Sequence, residues 1–272
     1  MPPIAADETS VNRRDQDGST FRIDFETAHF DGDFGSDEDI RFDILTTRLR
    51  WRWTRAEIRV SLPLLRLEGE VILVGGTPSP GGPQGTGNAP EPPGPPTPNE
   101  PNGTGSRTVT GPGDVLVRAD YDLVQGSSKL PWLSGLAQVK LPTADDSDGL
   151  GTGEIDVEGG LVLVQPLGKF SLFLEGRYTL MGDPPDFDFD DIVRVSAGVS
   201  RRVGNSRGRF VYAFWENRTH PVPGREDRRD LLLGTSARVG TKKRIRLSGA
   251  VYAGLSETAE DWGLQFMLGH EF

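Results

Sequence analysis

The chain of 272 residues has no cysteine, which removes disulfide frameworks and thiolate metal sites from consideration. It also has no run near the ~20 apolar residues that a membrane helix needs. Histidine is scarce, at His29, His220 and His270, and acidic residues outnumber basic ones by 40 to 30. The resulting net charge of −10 argues against a general nucleic-acid binder, whose surface must be basic. Apolar residues make up only 35% of the chain. That figure does not exclude a membrane barrel, where only alternate strand residues meet lipid while lumen and loops stay polar. Residues 1–18 lack a basic segment followed by an apolar one. They are expected to be a flexible N-terminal segment of an exported chain in its mature form, Met1 being an added start residue.

What is present is alternation with a period of two, from end to end. Phe21, Ile23 and Phe25 alternate with Arg22, Asp24 and Glu26, and Leu49, Trp51 and Trp53 with Arg48, Arg50 and Arg52. The last run carries Trp262, Leu264, Phe266 and Leu268 in step and stops at Phe272. No segment has a helical period. The pattern predicts twelve strands, at 19–30, 39–53, 56–73, 113–125, 131–142, 153–165, 169–181, 191–204, 208–217, 229–240, 243–255 and 261–272. Most are long enough for the ~9–11 tilted residues that cross a bilayer. Two runs change phase, near Ile44–Leu45 and around Pro63, where a bulge is expected to restore the register.

The connections alternate between long and tight. Long ones fall at 31–38, 74–112, 143–152, 182–190, 218–228 and 256–260, and the rest are short turns. Long loops on one rim and short turns on the other predict an all-β fold, a single antiparallel up-and-down transmembrane barrel over residues 19–272. In lipid every backbone group must pair within the protein, so strand twelve is expected to bond to strand one.

Alternation alone does not say which face is buried, and a soluble barrel or sandwich with its apolar face inside has the same period. The aromatics favour the membrane. Trp51, Trp53, Tyr121, Trp132, Phe170, Phe210 and Phe272 lie towards the short-turn rim; Phe30, Tyr178, Phe214 and Trp262 lie towards the long-loop rim. Two such belts suit the two membrane interfaces. The polar face then lines a lumen. Candidate wall and selectivity residues are Arg22, Asp24, Glu26, Arg50, Arg66, Glu68, Arg118, Asp120 and Lys140 on the first half of the strands. On the second half they are Glu158, Glu175, Arg177, Arg194, Arg202, Arg238 and Arg246. Opposed charges on neighbouring strands pair across the ladder and, in an open pore, set its selectivity. The bland reading of each is a structural ladder filling the lumen.

Residues 75–112 hold eleven of the 21 prolines. Such a segment builds no core and is expected to be a long, disordered-like extracellular loop. The other long loops are acidic. Asp31, Asp33, Asp37 and Asp39 are candidate ligands for calcium or another divalent cation, although no spacing reproduces an EF-hand. The alternative is a solvated acidic rim bridged to lipopolysaccharide. No serine stands in a nucleophile elbow and no helix carries a metalloprotease pair, so no catalytic residues and no cofactor are expected.

Leu62-Pro63, Gly113-Asp114-Val115, Lys140-Leu141-Pro142-Thr143 and the run Gly149–Gly153 with Asp156 appear in order. Gly176-Arg177-Tyr178, Gly182-Asp183 and Ala253-Gly254-Leu255-Ser256 follow. Together, over residues 56–272, they resemble the outer-membrane protein family named for the meta-pathway of phenol degradation. The resemblance implies a bacterial outer-membrane channel or uptake protein for small aromatic or otherwise hydrophobic solutes, and supplies no catalytic residues. The terminal Phe272 resembles the signal read by the barrel-insertion machinery. Two other readings remain open: a plugged structural barrel acting through its loops, and a lipid-modifying enzyme using His29 and His270.

Overall fold

The computed structural model describes residues 19–34, 40–69, 108–127, 130–146, 149–184, 188–204, 208–222, 224–240 and 244–272. The N-terminal segment 1–18, Asp37, Asp39 and most of the proline-rich loop lie outside them. Three long strands open the barrel: β1 (Thr20–Gly32), β2 (Ile40–Arg52) and β3 (Ala56–Glu68). The short β4 (Thr108–Pro112) follows, then β5 (Val115–Val124), β6 (Trp132–Leu141), β7 (Asp156–Leu167) and β8 (Phe170–Leu180). The sheet ends with β9 (Ile192–Arg202), β10 (Arg209–Arg218), β11 (Arg228–Val239), β12 (Ile245–Gly254) and β13 (Trp262–Glu271).

Apart from β4 and β5, which both pair with β3, each strand pairs antiparallel with its sequence neighbour, and β13 returns to β1, so the sheet closes. Closure leaves no row of unpaired backbone groups facing lipid. Strands β4 and β5 run in line along β3 and count as one position in a ring of twelve. The tip of the proline-rich segment is therefore strand, which the alternation of residues 108–112 is too short to announce.

Burial gives the fold its sign. Phe25, Leu161, Leu174 and Phe266 are about half exposed, whereas Asp24, Lys140 and Glu158 are at most 2% exposed. Apolar side chains outside and charges inside is the arrangement of a barrel in lipid, since a water-soluble barrel gains its stability from the reverse. At the seam, Phe272 donates its N–H to the Phe21 carbonyl at 2.9 Å and stacks its ring on Phe21.

Neither expected bulge lies where the phase changes. The β1–β2 and β2–β3 registers run unbroken through Ile44, Leu45 and Pro63. The irregularity is on the partner strand, where five residues from Pro112 to Leu116 oppose four from Leu64 to Ser61. Pro63 has no N–H to give, and its carbonyl accepts from Gly113 at 3.0 Å. The phase change has another cause. Above Ile44 and Pro63 the inward residues become apolar (Ile40, Phe42, Leu65, Leu67) and the outward ones polar (Arg41, Asp43, Arg66, Glu68). With 13 residues each, β1–β3 exceed the bilayer's need, and we read the polar outer ends as standing in water above it.

Interior aromatics lie over glycines of the next strand. Phe214 covers Gly198, its cross-strand partner, and Phe30 covers Gly263. A Cβ at either glycine would collide with the ring. Gly198→Val should drive Phe214 off its seat and lower unfolding stability by about 1–3 kcal/mol, read from heat-modifiable gel mobility.

Candidate functional site: the barrel lumen

The cross-strand pairs arrange the inward side chains in rows that climb around the barrel. One row is apolar and visits all twelve ring positions. It starts at Trp132 on β6 and passes through Val164, Phe173, Gly198 and Phe214. It continues through Leu232, Tyr252, Gly263 and Phe30. It ends with Phe42, Leu67 and Val109. Trp132 opens its strand beside a short turn and Val109 lies beside the longest loop, so the row joins one rim to the other. All its non-glycine members belong to or pack on one buried cluster. Edge-on contacts link Phe173 with Phe214 at 5.2 Å and Phe30 with Tyr252 at 5.3 Å. The one hydroxyl in the row, on Tyr252, is bonded to Gln265 at 2.8 Å.

A charged spiral climbs beside it. Arg22, Arg50, Arg59 and Arg118 are successive cross-strand partners on β1, β2, β3 and β5. Arg177, Arg194, Arg218 and Arg228 repeat this on β8 to β11, the opposite wall. Like charges face each other along both rows, and the carboxylates of adjacent rows sit between them. Asp24 lies 2.8 Å from Arg50, Glu57 lies 2.7 Å from Arg59, and Asp120 lies 2.6 Å from Arg118. Arg48 pairs with Glu26 at 3.0 Å. Arg177 pairs with Glu175 and, at 3.1 Å, with Glu158; Arg194 pairs with Glu216 at 3.4 Å. Arg202, Arg238 and Arg246 point inward near the short-turn rim.

Two predicted wall residues stand elsewhere. Arg66 and Glu68 are on the outer face, with side chains 55% and 36% exposed. Their phase matches the apolar outer residues below them, which is why sequence alternation misplaces them. Several aromatics of the expected belts also point inward: Phe30, Trp132, Phe210 and Phe214 are buried. Sequence reasoning missed the apolar row because inward aromatics and outward aromatics alternate with the same period.

The motif residues meet at the long-loop rim. Lys140 lies 2.8 Å from Asp156 and 3.5 Å from Asp114, all three almost wholly buried. Asp114 accepts from the N–H groups of Thr143 and Ala144, and Asp156 from that of Gly182. Thus Gly113-Asp114, Lys140–Thr143, Asp156 and Gly182 form one ion set that ties down two loops.

A third loop turns inward between β12 and β13. Glu260 is fully buried, reaches Arg228 on the wall, and lies beside Asp230. Gly254 and Gly32 leave room for its backbone. Burial and the Asp230 carboxylate outweigh Arg228 and push the Glu260 carboxyl up to about 8. Burial, with Arg218 and Arg225 nearby, brings His220 down to about 4. Glu260 therefore stabilises the fold fully below pH 4.5 and loses that contribution as pH rises through about 8. His220 contributes above pH 6.5 and loses its share as pH falls through about 4. Hydrogen exchange in residues 255–261 should accelerate on the alkaline side, and Glu260→Gln should flatten that limb. His220→Asn should flatten the acid limb.

Among the described residues no group of three His, Cys, Asp or Glu side chains could hold a metal ion. Asp31 instead accepts from Arg41 at 3.1 Å. His29 bonds Asp43 on the outer wall at 2.7 Å, and His270 sits at the other end of the β1–β13 ladder, so they share no site.

The sequence profile of one family, described as "Putative MetA-pathway of phenol degradation", matches residues 12–272. The chain belongs to that family. Its fold is also that of an outer-membrane channel from Pseudomonas putida F1, at a TM-score of 0.68 and 16% identity, covering 97% of this chain and 100% of the other. The toluene transporter TodX of P. putida aligns over 95% of this chain and 91% of its own, at 0.44 and 10% identity. None of the curated proteins matches the sequence.

Proposed function

We propose that this member of the phenol-degradation family is an outer-membrane channel that passes small, uncharged hydrophobic solutes along the apolar row of its lumen. The observation that carries the reading is the row's continuity from rim to rim beside the charged spiral of the interior. A hydrocarbon moving along it exchanges one apolar contact for another, whereas an ion finds no unshielded partner. The arginines and carboxylates beside it are engaged with each other, which supports a structural role for them over ion selection.

The test compares two readouts of the full chain. In porin-depleted Gram-negative cells, it should speed entry of the uncharged aromatic dye N-phenylnaphthylamine. In planar bilayers it should give no steady ion conductance. Steady conductance with no gain in dye entry would replace this reading with a polar-solute porin. Silence in both would leave a closed structural barrel.

A further inference from the structure

A second interior row runs parallel to the apolar one: Ala28, Ile44 and Leu65 are successive cross-strand partners, and the next is Gly111 on β4. The first three are buried apolar side chains, yet the last position, at the long-loop mouth, has none. Its place is filled from a loop. A Cβ on Gly111 would come within 2.6 Å of Leu150 Cδ1, and Leu150 is 1% exposed and packed in the same cluster.

We propose that Leu150 is the size-determining residue at the mouth of the apolar row, and that the Lys140–Asp114–Asp156 ion set is what positions it. This rests on the hydrophobic-channel reading above. The loop that bears Leu150 is pinned at both ends by that ion set. Asp114 takes the N–H groups of Thr143 and Ala144 at 3.0 and 2.9 Å, and Lys140 Nζ donates to Thr152 at 2.8 Å. Gly149 between the pins and Gly153 just after the second adopt left-handed backbone, with φ of 75° and 73°. The chain can thereby turn inward and present one large side chain to the lumen. Leu150 N–H donates to the Asp145 carbonyl at 3.0 Å, which fixes the turn from within. Ala28, Ile44 and Leu65 stand on strands and are held by ladder pairing on both sides. Leu150 comes from a loop, so its bulk sets the opening without altering the sheet.

The two nearest substitutions move the opening in opposite directions. Leu150→Ala removes bulk from the mouth. Gly111→Ala adds a methyl behind Leu150 and pushes the end of that side chain towards the lumen. Entry of naphthalene and of the larger pyrene, both uncharged and fluorescent, is measured in the same cells with the full chain. Leu150→Ala should raise the pyrene-to-naphthalene rate ratio roughly fivefold and Gly111→Ala should lower it, a change set by a few methyl groups in a pocket. A general loss of packing would not move the ratio in two directions. Wild-type entry of naphthalene with an unchanged ratio in both folded variants overturns the assignment of Leu150 and leaves the channel standing. No naphthalene entry through the wild type overturns the channel reading, and the assignment with it.

Discussion

Replacing Lys140 with methionine should destabilise the barrel by about 3–5 kcal/mol, the loss typical when a buried ion set loses one partner. Lys140 pairs with both Asp114 and Asp156, at 3.5 and 2.8 Å, and both carboxylates are nearly inaccessible to water. Without it two negative charges remain buried side by side, and each still holds loop N–H groups that it would have to release to reach solvent. Denaturant unfolding from detergent micelles, followed by gel mobility of unheated samples, measures the change. The triple variant Lys140→Met, Asp114→Asn, Asp156→Asn should recover most of the loss, because amides keep the loop contacts without the charge. If Lys140→Met unfolds like the wild type, the ion set does not hold the rim.

The second large effect separates the two spirals. Phe42→Gln puts an amide into the apolar row, where Phe42 stands between Phe30 and Leu67. A hydrocarbon passing it leaves that amide without water or a partner, at about 1–3 kcal/mol. Flux of N-phenylnaphthylamine should fall roughly 5- to 140-fold, at tenfold for each 1.4 kcal/mol. The paired change Arg48→Met, Glu26→Gln removes a 3.0 Å ion pair from the charged spiral as a unit. Dye flux should then stay near wild type, since a buried pair replaced by apolar groups of similar volume is close to neutral. Equal losses in both variants would mean that the apolar row has no special part in permeation.

Much of this is legible in the sequence. The period of two is a property of the strand itself, so Phe21 to Phe25 and Trp262 to Phe272 announce strands and their two faces directly. Loop lengths alternate because hairpins on one rim need only a turn, and this placed both rims. The motif order pointed to the family that the whole-chain match establishes. Arg66 and Glu68 show where such reading stops. They keep the outward phase of Leu62 and Leu64, but their strand has left the lipid, and no local signal marks the bilayer's height.

The sequence by itself determined strands, turns and the choice of a charged or apolar residue at every second position, because those follow from local geometry. Only the tertiary structure decided which inward residues stand beside one another. Trp132 and Val109 are 23 residues apart in the chain, yet they are the two ends of a row that crosses all twelve ring positions between them. Register and strand tilt create that row, and both are properties of pairing between strands. The same is true of Lys140 with Asp114 and of Leu150 over Gly111: each partner reads as rim or turn chemistry alone, and becomes a site only when the barrel closes.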